Sequence, residues 1–211
     1  MKRKLLCALF VLQVALFGTL VFAQVVAETD GDELIEATLA AVSQAERISS
    51  DFVQERHLSM LKKDIIVKGR FYYEKPDRLR WEQREPVVGG FIVNGSTIRR
   101  WGEDGKVETA RLGSDPLFGL FVNQVFAWCK GDADWLKKRY AIKVIDRNPP
   151  VLRLTPLMKG EKRFLERLSV TFSEDLSSVE RVEIQTKDKD SISTTFVNTS
   201  INRPLPEGIF N

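Results

Sequence analysis

Only one histidine, His57, is present in the 211 residues, and this restricts the catalytic chemistry open to the chain. A histidine metal site or a nucleophile–base pair would have to be built around that residue. It closes the polar run Gln54-Glu55-Arg56-His57, which reads as a strand end, so an exposed and non-catalytic histidine is expected. No serine stands in a Gly-x-Ser-x-Gly elbow, and no glycine-rich loop suits a phosphate. Carboxylates fall side by side at Glu103-Asp104 and Glu174-Asp175, next to turn signals. Glycoside hydrolysis needs two carboxyls facing each other across a cleft, so these pairs read as solvated turn residues. Cys129, close to Phe126 and Trp128, reads as a buried apolar filler. A lipid-modifying enzyme would need a carboxylate inside an apolar cavity, and Glu166, near Leu168 and Val170, is the one to consider; an outward glutamate is the plainer reading. No catalytic residue, cofactor or metal site is expected.

What the chain does offer is apolar surface on a strand pattern. Gly69 to Pro86, GRFYYEKPDRLRWEQREP, holds two alternating runs joined at Lys75-Pro76-Asp77. Strand side chains alternate with period two, so Phe71 and Tyr73 share one face of the first run, and Leu79 and Trp81 one face of the second. Arg70, Glu74, Arg78, Arg80, Glu82 and Arg84 take the opposite face. A sheet built this way puts its aromatics either into a core or around an apolar ligand. A register slip of one residue would exchange Phe71 for Tyr72.

The elements that position these residues follow from periodicity. Asp30 and Glu33 form a capping-box pattern ahead of Leu34, Ile35, Leu39, Val42 and Ala45, an amphipathic helix. Strand patterns run from Ile48 to Phe52, Ile65 to Tyr73, Arg78 to Arg84 and Gly90 to Val93, with hairpin signals at Asn94-Gly95 and Asp104-Gly105. Ser114 to Tyr140 differs: Asp115-Pro116 starts a helix, Gly131 breaks it, and the aromatics exceed one buried stripe. Strands resume at Ala141 to Ile145, Val151 to Thr155, Phe164 to Phe172, Ser178 to Gln185 and Ser191 to Asn198, and Pro204 and Pro206 end the sheet. The expected fold is mainly β with helices: four or five strands, a helical insertion, then about five strands in a curved antiparallel sheet with helices across its mouth.

Lys2, Arg3 and Lys4 precede an apolar run from Leu5 to Phe22, the pattern of a secretory signal peptide over residues 1–23, cleaved after Ala23 or at a second site after Ala27. The alternative is an uncleaved anchor, for which the run is just long enough. Cys7 lies too early to be a lipidation site. Cleavage removes three of the 32 basic residues and none of the 29 acidic ones, leaving a balanced chain with no electrostatic reason to bind nucleic acid. Cys129 would then be the only cysteine, so no internal disulfide is available. Residues 24–211 suit a single domain.

Phe52-x-Gln54, Gly69, Phe71-Tyr72, Lys75-Pro76, Leu79-x-Trp81, Pro86 and Ile92-Val93-Asn94-Gly95, with later echoes at Leu154-Thr155-Pro156 and Pro206-Glu207-Gly208, form a pattern spread over nearly the whole mature chain. In this pattern the chain resembles the periplasmic lipoprotein carrier family LolA. The resemblance implies an unclosed β-barrel whose hydrophobic cavity carries lipoprotein acyl chains under a helical lid. It further implies a monomer that receives cargo from an inner-membrane ABC-type releasing complex and passes it to an outer-membrane lipoprotein receptor. The cavity residues would then be Phe71, Tyr73, Leu79, Trp81, Phe91 and Val93, and the lid residues Phe118, Phe121 and Phe126. For each of them, plain core packing is the competing reading. The family's arginine before the hairpin proline is replaced by Lys75, which keeps the charge but loses the planar fork, so gating bonds made there would be weaker. A relative carrying another exported lipid or glycolipid is the second expectation. A sensor of the same half-barrel kind would need a further domain.

Overall fold

The structure is a computed structural model that describes residues 31–211. The expected signal peptide and its cleavage points, Cys7 and the Asp30 cap lie outside the described residues. The chain divides between Ala37 and Thr38 into two compact units. Residues 31–42 form helix α1, and the strands and other helices all belong to the unit Thr38–Asn211.

Among the described residues, eleven strands form one antiparallel sheet that is not closed. They are β1 (Arg47–His57), β2 (Ile65–Glu74), β3 (Arg78–Glu85), β4 (Gly89–Asn94), β5 (Thr97–Trp101) and β6 (Val107–Arg111), then β7 (Tyr140–Arg147), β8 (Pro150–Pro156), β9 (Leu165–Phe172), β10 (Val179–Thr186) and β11 (Ser191–Ile201). Their order across the sheet is β6-β5-β4-β3-β2-β1-β11-β10-β9-β8-β7. Each neighbour is also next in sequence except at the centre, where β1 pairs with β11 and Phe52 lies opposite Phe196. The two edges, β6 and β7, flank the helical insertion, which forms α2 (Pro116–Lys130) and α3 (Ala133–Arg139).

Six strands precede the insertion where four or five were expected. The additional pairing comes from β5 and β6, five residues each, too short for a clear alternation. Their turns were legible: Gly95 and Gly105 take φ values of 59° and 70°, which glycine adopts without a steric penalty.

The register settles which aromatics share a face. Phe71 lies opposite Trp81, and Trp81 opposite Phe91, while Tyr73, Leu79, Val93 and Ile98 line up in the neighbouring row. These side chains, with Phe52 and Val67, form the main core on the inner face, where the helix residues Val122, Phe126 and Cys129 join them. Gly69 makes room for this packing, because a side chain there would run into the Phe52 ring and the Glu82 carbonyl. Phe52 uses the space to stack on Trp81, with centroids 4.4 Å apart.

The outer face is not uniformly wet, as the alternation alone implied. Tyr72 and Ile92 are buried there under Phe210, with Trp101, Leu205 and Ile209 packed around them. The chain after β11 folds back to cover them. Arg80 Nη1 donates to the Ile209 carbonyl at 3.2 Å, and Arg99 Nη2 to the Phe210 carbonyl at 3.3 Å. Arginines on a strand face normally mark solvent, but these two tie down a covering segment.

Candidate functional site

Between the inner face and α2 lies a cavity of about 100 Å³ with almost wholly apolar walls. The sheet contributes Ile48, Phe71, Trp81, Val182 and Phe196, and α2 contributes Val125, Trp128 and Cys129. Val42, at the end of α1, and Ser177 to Val179, leading into β10, complete the wall with Ser50 and Thr199. The two hydroxyls are not free to attract water. Ser50 Oγ and Thr199 Oγ1 share a hydrogen bond of 2.8 Å, and Ser50 Oγ also reaches the Val197 carbonyl at 3.0 Å.

The geometry of α2 begins at its ends. Asp115 Oδ1 accepts from the Phe118 amide at 3.1 Å, satisfying one of the orphan donors of the first turn. The Arg100 guanidinium ties that end to β5, at 3.5 Å from Asp115 Oδ2 and 3.8 Å above the Phe118 ring. At the other end, Gly131 takes the left-handed φ of 61° and donates to the Trp128 carbonyl. It also lies so close to the Leu39 carbonyl that a side chain would collide with it, so α2 ends against the last turn of α1. Phe118 and Phe121 make edge contacts with Phe91, Phe121 also meets Trp81, and Phe126 meets Tyr73.

Of the six cavity residues expected from the sequence, the structure brings Phe71 and Trp81 to the cavity wall. Tyr73, Leu79 and Val93 are fully buried in the core, and Phe91 is nearly so, held by ring contacts with the lid. Of the lid residues, Phe118 and Phe121 close over Phe91 and Trp81, while Phe126 packs in the core. The α2 side chains that face the cavity are instead Val125, Trp128 and Cys129. Sequence reasoning also missed Val182 and Phe196. The pairing of β1 with β11, invisible to local pattern, carries Phe196 to within 5.8 Å of Phe71, centroid to centroid.

Among the described residues several buried polar groups have no partner; one, the Trp128 indole N–H, belongs to a cavity-lining residue, and another is the Tyr73 hydroxyl in the core. Burial pushes the Tyr73 phenol up, so it stays protonated. Burial also pushes the Cys129 thiol up to about 12, keeping it neutral and unreactive.

Lys75 closes the hairpin between β2 and β3. Its Nζ donates to the Ser43 carbonyl at 2.7 Å and pairs with Glu46 Oε1 at 2.9 Å, while its backbone N–H donates to the Glu46 carbonyl. A single side chain thus joins the hairpin to the residues that follow α1. The histidine and the carboxylates considered for other chemistry are not among the residues that line the cavity. His57 pairs with Asp64 at the surface, Glu166 with Arg167, Asp104 caps its own turn, and Asp175 accepts from Ser173 and Ser177.

Residues 43–211 match the model of the family described as outer membrane lipoprotein carrier protein LolA. The chain belongs to that family. No curated protein sequence matches it. Among solved structures its fold is similar to MucB, at 14% identity and a TM-score of 0.50, with 87% of this chain and 62% of MucB covered. It is also similar to a LolA superfamily protein from Nitrosomonas europaea, at 10% identity and a TM-score of 0.47 over 83% of this chain and 96% of that one. The Mycobacterium tuberculosis lipoprotein LppX matches at 15% identity and a TM-score of 0.42, over 83% and 98% of the two chains. At these identities the likeness concerns the fold alone. As a LolA-family protein, the chain is placed among carrier and binding proteins of the bacterial envelope. Among the described residues, no helix is long and apolar enough to cross a membrane.

Proposed function

We propose that this LolA-family protein is a periplasmic carrier that takes lipoprotein acyl chains between its inner sheet face and α2 and moves them from the inner to the outer membrane. The observation that carries the reading is the apolar cavity itself, bounded on one side by Phe71, Trp81 and Phe196 and on the other by a helix that packs on the sheet through aromatic contacts. The partners would be an inner-membrane ABC-type releasing complex and an outer-membrane lipoprotein receptor. The unpartnered Trp128 N–H suits an ester carbonyl, since a buried donor without a partner costs about 1–3 kcal/mol that a ligand oxygen can recover.

The cavity volume bears on how cargo would enter. About 100 Å³ is below the roughly 300–1,000 Å³ of ordinary small-molecule sites, so on this reading the cavity enlarges as α2 swings away. The lid and pocket aromatics that pack on each other would give up those contacts to the acyl chain.

Native mass spectrometry of protein purified from a periplasm, with extraction and identification of what is bound, tests the reading. Triacylated lipoprotein supports it, whereas a phospholipid or glycolipid points to a carrier of another exported lipid. A protein that is empty and does not compete for a fluorescent acyl probe overturns both.

A further inference from the structure

One end of the sheet combines bare apolar tips with unpaired positive charge. This is the end at which β1, β8 and β10 finish. In the loop after β1, Met60 is 86% exposed and Leu61 44%, followed by the exposed Lys62 and Lys63. In the loop after β8, Leu157, Met158 and Phe164 are each more than 40% exposed, among the exposed Lys159, Lys162 and Arg163. The hairpin after β10 adds Lys187 and Lys189.

The three loops form one continuous strip. The Ser59 amide donates to Asp190 Oδ1 at 2.7 Å, joining the first loop to the β10–β11 hairpin, and the Lys187 amide donates to the Phe164 carbonyl at 2.9 Å, joining that hairpin to the third. The apolar tips are held outward. Glu161, a buried residue of the loop after β8, pairs with Arg139 at the end of α3, and the Leu157 amide donates to the Arg139 carbonyl, which anchors the loop with its leucine and methionine exposed.

Seven basic side chains stand in the strip, none of them in an ion pair among the described residues. The surface carboxylates there are Asp64, Asp188 and Asp190, and Asp64 is engaged by His57. Six of the seven are lysines, which act as point charges on flexible stems; arginine would be the better choice for forked recognition of a particular protein carboxylate. Aliphatic tips flanked by lysines can sink their apolar ends among lipid headgroups while the ammonium groups stay at the phosphates.

We propose that this end of the sheet docks on an anionic phospholipid bilayer, with Met60, Leu61, Leu157, Met158 and Phe164 entering the headgroup layer. The inference does not depend on what the cavity carries, because none of these residues lines it.

Co-sedimentation of the full-length mature chain with vesicles tests it, using phosphatidylcholine alone and equal parts phosphatidylcholine and phosphatidylglycerol. Binding is expected to the anionic vesicles, and to fall as salt is raised. Lys62→Gln/Lys63→Gln should bind about 25-fold more weakly, roughly fivefold per charge. Met60→Ser/Leu61→Ser should lose roughly tenfold at any salt concentration, since its defect is apolar. Both pairs are exposed, so circular dichroism and acyl-probe uptake should match the parent chain. Failure to bind either vesicle, as when the strip faces an acidic protein instead, overturns the proposal. So does equal binding to the two vesicles, or binding that neither variant weakens.

Discussion

Replacing Lys75 by alanine should loosen the β2–β3 hairpin from the segment after α1 and, through the contact of Gly131 with Leu39, the seat on which α2 ends, so that α2 lifts more often. Its Nζ makes a charge-assisted hydrogen bond to the Ser43 carbonyl at 2.7 Å. Such bonds are worth roughly 1.5–3 kcal/mol when well shielded. Lys75 is 27% exposed and Glu46 63%, so water competes for both arms and the ion pair adds no more than about 1 kcal/mol. A net of about 1–2 kcal/mol in favour of the closed arrangement is reasonable, and losing it multiplies the open population roughly 5–30-fold.

Cys129 supplies the assay. Buried, neutral and on the cavity wall, its thiol should meet a disulfide reagent far more readily when α2 lifts. Labelling in the native state should therefore be about 5–30-fold faster in Lys75→Ala, and slower in Lys75→Arg, whose fork can bond two carbonyls at once. Local lid opening exposes little surface, so the rate should depend weakly on added urea, whereas global unfolding would carry the full denaturant dependence. If the alanine variant labels at the parental rate, or gains only through the urea-dependent route, the latch is not at Lys75.

Other outcomes follow from the same geometry. Trp81→Ala removes a ring in contact with Phe52, Phe71, Phe121 and Phe196 and should cost about 3–5 kcal/mol in urea denaturation while enlarging the cavity. Gly131→Ala forces a left-handed backbone and a collision with the Leu39 carbonyl, so a loss of roughly 1–3 kcal/mol and faster Cys129 labelling are expected. Val125→Trp should fill the cavity and abolish acyl-probe uptake, at about 1–3 kcal/mol of overpacking visible as a lower Tm. Acid should destabilise the sheet centre. Hydrogen bonds from Arg70 hold the Asp51 carboxyl below its ordinary 3.8, and those from Arg47 and then Arg78 hold Glu74 below 4.5. Both folded-state values are depressed, so the stabilisation is complete above the ordinary values and is lost as pH falls through the lower ones. Asp51→Asn should flatten that part of a pH–stability curve.

The strands, the helical insertion with its Asp115-Pro116 start and Gly131 end, and the shared face of Phe71 and Trp81 were legible because they depend on local periodicity and turn chemistry. Where the sequence misled, contacts between distant segments decided. Val93 and Leu79 have the same alternation as Trp81, yet they sit one row along the strands, where the core closes over them. Phe196 lies more than a hundred residues from Phe71 in sequence, and only the pairing of β1 with β11 joins them. Tyr72 and Ile92 lie on the outer face, but the segment through Phe210 buries them, and no periodicity announces a covering strap.

A carrier has to release what it binds, and the aromatic packing of α2 on the sheet suggests how this protein, on the proposed reading, would do so. Moving a sixteen-carbon acyl chain out of water is worth roughly 12 kcal/mol at about 0.8 kcal/mol per methylene, enough to trap cargo in a preformed pocket. Here the aromatics around the cavity already make part of that gain with one another. Trp81 packs against Phe52, Phe71, Phe121 and Phe196, and Phe91 against Phe118 and Phe121. Such ring pairs are worth about 0.5–1.5 kcal/mol each beyond their buried area. On the proposed reading, cargo would have to break several of these contacts, and those that Lys75 makes, before it gained its own, and the protein would recover them on release. Affinity is thereby a difference between two packed states. Weakening the lid alone, as in Lys75→Ala, should tighten acyl binding by the same roughly 5–30-fold that it speeds Cys129 labelling, because both read one open population. Unequal factors would mean that the state reached by the thiol reagent is not the one that admits lipid.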